Sequence, residues 1–149
     1  TTTTAAFVDS GKMTLVSRVT SGVREIEKRI KNDLGVDDDM ALTILQGASV
    51  DVSSSLDVVF SPLVRQLSIS RDFISRKTKQ RVGKVYVSGG MAQSGLLCEH
   101  LGKTLEMELI RWDPAALLKD GKENWPTHLT TEKSRFAAAI GAAIGALVD

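Results

Sequence analysis

Two adjacent glycines, Gly89 and Gly90, close a short apolar strand and mark the stretch of this chain best suited to holding a small molecule. In Val82-Gly-Lys-Val-Tyr-Val-Ser-Gly-Gly-Met-Ala-Gln-Ser-Gly95, the apolar residues Val82, Val85, Tyr86 and Val87 run straight into the pair. A polar turn follows, and a helix is predicted from about Gly95. Glycines placed there carry no Cβ, so the backbone can approach something flat or phosphorylated. The same pair also suits a plain strand-to-helix turn, which is its commoner use. Other candidate chemistry is weaker. Asp37-Asp-Asp39 lacks the alternating oxygens and distal glutamate of a calcium loop, and carboxylates in the first turn of a helix complement its dipole. Cys98 and His100 are too isolated for zinc, which needs three or four ligands, and His128 has no evident partner.

The elements around the glycines follow from periodicity. Thr2 to Asp9 is β-branched and apolar (Ala5, Phe7, Val8), Ser10-Gly11 is a turn, and Lys12 to Thr20 carries Met13, Leu15, Val16 and Val19. Together they predict a hairpin. After Ser21-Gly22, Val23, Ile26, Ile30 and Leu34 recur at helical spacing and Gly35 is placed to cap the helix. Its polar face carries Arg24, Glu25, Glu27, Lys28 and Arg29, a set that suits solvent, with one or two residues available to a nucleotide base. A short helix is expected from Met40 to Gln46, a Ser/Asp-rich link from Val50 to Ser55, and then one long amphipathic helix. Leu56, Val59, Phe60, Leu63, Leu67, Ser70 and Ile74 form its stripe, and Pro62 predicts a kink or a ragged start. Its basic end (Arg71, Arg76, Lys77, Lys79, Arg81) suits the C-terminal dipole, and without interleaved aromatics it is no nucleic-acid patch.

Beyond the glycines, Leu96, Leu97, Leu101 and Leu105 predict a helix. Met107 to Trp112 predicts a strand stopped by Asp113-Pro114. Ala115 to Thr131, with Gly121, Asn124, Trp125-Pro126 and His128, reads as a loop with one helical turn. Ser134 to Val148 reads as a closing helix in which Gly141 and Gly145 allow close backbone packing. Strands alternating with helices after the hairpin imply an α/β layer fold with parallel pairing.

Composition bounds the function. The 149 residues suffice for one domain with a core of its own. Nineteen basic against eighteen acidic residues leave a charge of +1, which gives no footprint for nucleic acid or an anionic membrane. The single cysteine excludes an internal disulfide and fits a reducing compartment. The long apolar run, Phe136 to Val148, is about thirteen residues against the ~20 of a membrane span. A soluble cytosolic protein is expected. The chain opens on Thr1-Thr-Thr-Thr4 with no lead-in, which suggests a piece of something larger.

The order of these motifs resembles the second half of the actin-like ATPase superfamily. It is similar above all to the PilM family of type IV pilus assembly, which is related to the cell-division protein FtsA. The resemblance rests on Val85-Tyr-Val-Ser-Gly-Gly-Met-Ala-Gln-Ser-Gly-Leu-Leu97, the helix to Leu105, and the strand ending at Asp113-Pro114. It also rests on the hairpin, on Gly22, Ile26, Ile30, Leu34-Gly35 and Ala41, and on Ala137-Ala-Ala-Ile-Gly-Ala-Ala-Ile-Gly145. It implies an α/β, ribonuclease H-like (actin-like ATPase) subdomain, with a mixed sheet, an N-terminal β-hairpin and helices on both faces. It further implies binding of ATP with Mg2+ in company with an N-terminal half. Gly89 and Gly90, with Ser88 and Met91 beside them, would lie against the adenosine. Gly22 would open the helix that supplies base or ribose contacts through Arg24, Glu25 and Lys28. The implied role is a cytoplasmic scaffold, peripheral to the inner membrane, that engages the cytoplasmic tail of an inner-membrane pilus assembly protein.

The family pattern is incomplete here. A strand ending in Asp-x-Gly, expected just before the threonine run, is missing. The glycine pair or Gly-Asn that opens the next helix is Ser21-Gly22-Val23, and an Ala-Glu-x-x-Lys pattern is replaced by Ala41-Leu-Thr-Ile-Leu45. The expectation is therefore a fragment that lacks its first strand, and a scaffold before a catalyst, because hydrolysis needs positioned phosphates, a metal and an oriented water. The alternative is a catalytically active ATPase of the FtsA or sugar-kinase type.

Overall fold

The computed structural model describes residues 2–47, 49–114 and 136–148. The chain begins with an antiparallel hairpin of β1 (Thr3–Asp9) and β2 (Lys12–Val19). Its turn is the expected Ser10-Gly11, both in the left-handed region at φ 50° and 77°, the backbone of a two-residue hairpin loop whose twist matches that of the strands. The register slips between Phe7 and Val8, where Leu15 faces Phe7 and Met13 faces Val8. Thr14, the extra residue of this bulge, donates its hydroxyl to the Phe7 carbonyl at 3.0 Å.

Helix α1 (Val23–Leu34) ends as expected on Gly35, whose φ of 65° lets its N–H bond to the Lys31 carbonyl. Helix α2 (Asp38–Leu45) starts two residues before the predicted Met40. Asp37 is its N-cap, accepting from the Met40 N–H at 2.8 Å, and Asp38 and Asp39 occupy the first turn. The acidic run is capping chemistry.

Helix α3 (Ser53–Thr78) is the longest element and starts earlier than the predicted link allowed. Its N-cap, Val52, makes no side-chain cap and is buried, so hydrophobic burial anchors the start in place of capping. The helix continues through Pro62. Pro62 is exposed, as is Val58 four residues earlier, so the carbonyl deprived of a donor lies on the solvent side.

Strand β3 is limited to Val85–Val87 and leaves Val82 outside. A single 3-10 turn over Gly90–Gln93, unmarked in the sequence pattern, follows the glycine pair. Helix α4 (Gly95–Leu105) and strand β4 (Leu109–Arg111) complete a right-sized βαβ unit, β4 pairing parallel to β3. Helix α5 (Ala137–Val148) is the last described element; the predicted loop from Ala115, with His128, and the helix start at Ser134 lie outside the described residues. The mixed α/β character is as expected. Among the described residues the pairings form two two-stranded ladders, β1-β2 and β3-β4.

The core lies among α1 to α4. Ile26 and Ile30, Ile44 and Leu45, Leu56, Phe60 and Leu63, and Leu97 and Leu101 interlock there. Polar ties also fix the helices. Ser21 donates to the Val59 carbonyl at 3.1 Å and Ser94 to the Leu45 carbonyl at 2.6 Å. Ser55 donates to Asp33 at 2.6 Å, joining α3 to α1.

The last tie makes a pH prediction. The Ser55 hydroxyl, and after it Arg29, hold the Asp33 carboxyl below its ordinary value of 3.8. A carboxylate with a depressed folded pKa stabilises above the unfolded value and loses that contribution as pH falls through the folded one. Wild type is therefore expected to exceed Ser55→Ala in urea stability at neutral pH, with the gap closing below pH 3.8. A gap that stays constant through the acid titration would remove Asp33 from the explanation. Among the described residues, no helix is long and apolar enough to cross a membrane.

Candidate functional site

The glycine turn is built from β3, the 3-10 turn and α4. Gly89 sits at φ 90°, a conformation that L side chains rarely adopt, and it accepts the Ala92 N–H at 3.2 Å to start the 3-10 turn. Space around it is open: a Cβ built on Gly89 meets nothing within 4 Å. Gly90 is exposed and its backbone is unstrained. A Cβ there would come 3.8 Å from Val23 Cγ2, so the glycine turn abuts the first turn of α1.

The structure thus brings together Gly90 and the start of α1, where Gly22 and Arg24 flank Val23. Gly22 is the extended N-cap of α1 and offers no side-chain cap. Its position is set by Thr3, which donates to the Ser21 carbonyl at 2.6 Å, and by buried Ser21, which is tied to α3. Arg24 and Lys28, four residues apart and both exposed, share a face of α1. Glu25 is half-buried.

Ser88 and Met91 are tied into the turn by hydrogen bonds. Ser88 donates to the Trp112 carbonyl at 3.3 Å, and Trp112 N–H donates to the Val87 carbonyl at 2.9 Å. Met91 is half-buried against the core. Its carbonyl accepts from Ser94 N–H and from the Cys98 thiol. These bonds hold the turn's shape, and Gly90 is the exposed residue of the four. Ser94 then caps α4, accepting from Leu97 N–H.

Two neighbours escaped the reading of the sequence. Trp112, exposed over 40% of its surface, stands beside Ser88 because β4 runs parallel to β3; its only sequence signal was the strand stop at Asp113-Pro114. Gln93, in the 3-10 turn, has a side-chain nitrogen shielded from water and without a hydrogen-bond partner, which polarity alone would not reveal. Such an orphaned donor is uncommon.

Elsewhere, the groups set aside from chemistry have structural employment. Burial pushes the Cys98 thiol up, against a smaller opposing effect of Arg111, so it is no ready nucleophile. His100 Nε2 lies 2.8 Å from Asp57 Oδ1, and its ring stacks on Phe60 at 6.0 Å. Open, Cβ-free backbone at Gly89 and Gly90 would leave room for the flat part of a nucleotide. The phosphate and Mg2+ part has no such fit, since no three metal-ligating side chains come together among the described residues.

Comparison with solved structures identifies the class of fold. Over 96% of its length the chain superposes on solved structures, and its fold is a PilM-like, actin-like one. In particular, it matches a chain of the PilM-PilN type IV pilus biogenesis complex at a TM-score of 0.69 and 21% identity. It matches the ethanolamine utilization protein EutJ from Carboxydothermus hydrogenoformans at 0.56 and 20%. This chain spans 42% of the first and 44% of the second. No family model matches the sequence, and no curated protein does.

Proposed function

We propose that this chain is one subdomain of a PilM-like scaffold of type IV pilus assembly, cytoplasmic and peripheral to the inner membrane. In this reading it engages the cytoplasmic tail of an inner-membrane pilus assembly protein and contributes the adenosine side of an ATP site. The observation that carries the reading is the likeness to the PilM-PilN complex over 96% of the chain. Since EutJ shares the fold, and one fold serves many functions, the pilus role needs its own test.

The proposed adenosine contacts are the open backbone of Gly89 and Gly90, with Gly22, Arg24, Glu25 and Lys28 on the neighbouring helix. Ser88 and Met91 support the turn from behind. The phosphates and Mg2+ would need groups from the N-terminal half of a longer polypeptide. That division favours a scaffold over a catalyst for these residues, because binding a base needs only surface, whereas hydrolysis needs an oriented water and metal.

The test of the partner uses the full-length polypeptide and a fluorescently labelled peptide of the inner-membrane protein's cytoplasmic tail. Anisotropy is expected to show saturable binding in the micromolar range, about −8 kcal/mol. Absence of binding at hundreds of micromolar peptide would sink the pilus reading.

A further inference from the structure

Charge is separated along α3. Residues 32–64 hold six aspartates and no basic residue, whereas residues 73–98 hold five basic residues and no acid. The helix, Ser53–Thr78, starts in the first stretch and ends in the second. The net charge of +1 therefore conceals a chain with an acidic end and a basic one. Arg76, Lys77, Lys79 and Arg81 are exposed, and among the described residues no ion pair holds any of them. The fifth, Lys84, precedes β3 as Glu108 precedes β4, and the parallel register sets these two side by side. Glu106, the C-cap of α4, follows Leu105, whose carbonyl accepts from Arg71. Those acids offset Lys84 and Arg71, and four cations are left over.

The helix dipole accounts for Arg76 and Lys77 in the last turn. It does not account for Lys79 and Arg81, which lie past the last helical residue. Nor does it account for Ile69 and Phe73, which are 55% and 54% exposed. Four residues apart, these two share a face of α3 away from the buried Leu63 and Ile74, and Arg76 and Lys77 continue that face. Neither Ile69 nor Phe73 lines the cleft walled by β1 and β3 or the one beside Cys98. The face is a ridge, suited to a flat surface more than to a single inserted side chain or helix. Exposed apolar side chains fringed by cations are what adsorbs to an anionic bilayer: the cations are drawn to the headgroups, and the apolar groups settle at the acyl boundary.

We propose that the C-terminal end of α3 is a lipid-docking surface, in which Arg76, Lys77, Lys79 and Arg81 meet the headgroups of an anionic bilayer and Ile69 and Phe73 sink between them. Four cations fall within the roughly four to eight of polybasic lipid-binding clusters. The aspartate-rich start of α3 is repelled by the same surface, so the charge separation also orients the chain, basic end towards the lipid. This contact is made by the chain itself, in addition to any attachment through the tail of a membrane protein. Pure lipid contains no such tail, so the outcome is separate from that of the pilus reading.

The test sediments the full-length polypeptide with vesicles of phosphatidylcholine alone, or of an equal mixture of phosphatidylcholine and phosphatidylglycerol. Binding is expected to the mixed vesicles only, and to be lost at about 0.5 M salt, where surface charges are screened. The triple variant Arg76→Glu, Lys79→Glu, Arg81→Glu is expected to bind at least about tenfold more weakly. Phe73→Ala is expected to weaken binding by about threefold or more through its lost apolar surface. All four positions are exposed, so the thermal midpoint of each variant should stay within a few degrees of wild type. No binding, equal binding to both vesicles, or binding to mixed vesicles that the triple variant retains in full would each overturn the proposal. A two-chain mass in light scattering that Phe73→Ala reduces to one chain, without vesicle binding, would give this face to a second copy instead.

Discussion

Phe60→Ala is expected to lower the unfolding free energy by about 3–5 kcal/mol, enough to remove a third or more of the ~5–15 kcal/mol typical of a domain. Phe60 is 2% exposed and lies on the face of α3 that meets α1 and α4. Two losses add. The ring's apolar surface leaves the core, and the void cannot close, because Leu56 and Leu63 are held on a single continuous helix. His100 also loses the aromatic face it stacks on while remaining bonded to Asp57. Urea unfolding followed by circular dichroism reads the effect as a drop in midpoint at unchanged slope. A loss below about 1 kcal/mol would mean that α3 is not the central post of the core.

The role of α3 shows how far the sequence could be read. Its stripe from Leu56 to Ile74 was legible because three- and four-residue spacing is a direct consequence of helical geometry. Its start was not, because Val52 anchors it by burial and the Ser/Asp run around Ser53 imitates a turn. Ser10-Gly11 and Gly35 were legible because each backbone conformation demands a particular residue. The shortness of β3 and the division into two ladders were not, since pairing depends on what occupies both edges of a strand, and periodicity describes only one strand at a time.

At the candidate site the same distinction holds. Gly89 and Gly90 could be found from their place after an apolar strand, and Gly22 from its place before a helical stripe. That Gly90 comes up against Val23 depends on α1 being pinned through Ser21 to α3, a contact between residues 38 apart in sequence. Ser88 and Met91 were singled out with the glycines, yet their hydrogen bonds to Trp112, Ser94 and Cys98 make them the frame of the turn. Side-chain direction at such a turn is not written in spacing.

Gly90→Trp is expected to abolish nucleotide binding while leaving the fold intact. Measured by calorimetry on the full-length polypeptide, ATP with Mg2+ should bind wild type and lose at least about tenfold in affinity, about 1.4 kcal/mol, in the variant. The first carbon of the new side chain has only an ordinary contact with Val23 to make, at 3.8 Å, and Gly90 has no left-handed backbone to strain. The indole must then occupy the open space over the turn, where the adenosine is proposed to lie. The thermal midpoint should move by no more than a few degrees, as for other exposed substitutions. Gly89→Val serves as the contrast: at φ 90° a β-branched residue costs about 1–3 kcal/mol in backbone strain, so it should weaken binding and stability together. No heat from wild type at millimolar nucleotide would remove ATP altogether. Equal affinity in wild type and Gly90→Trp would leave ATP bound but place it away from this turn. Loss of binding in both variants, with lost stability only in Gly89→Val, assigns the surface to the ligand and the strain to the fold.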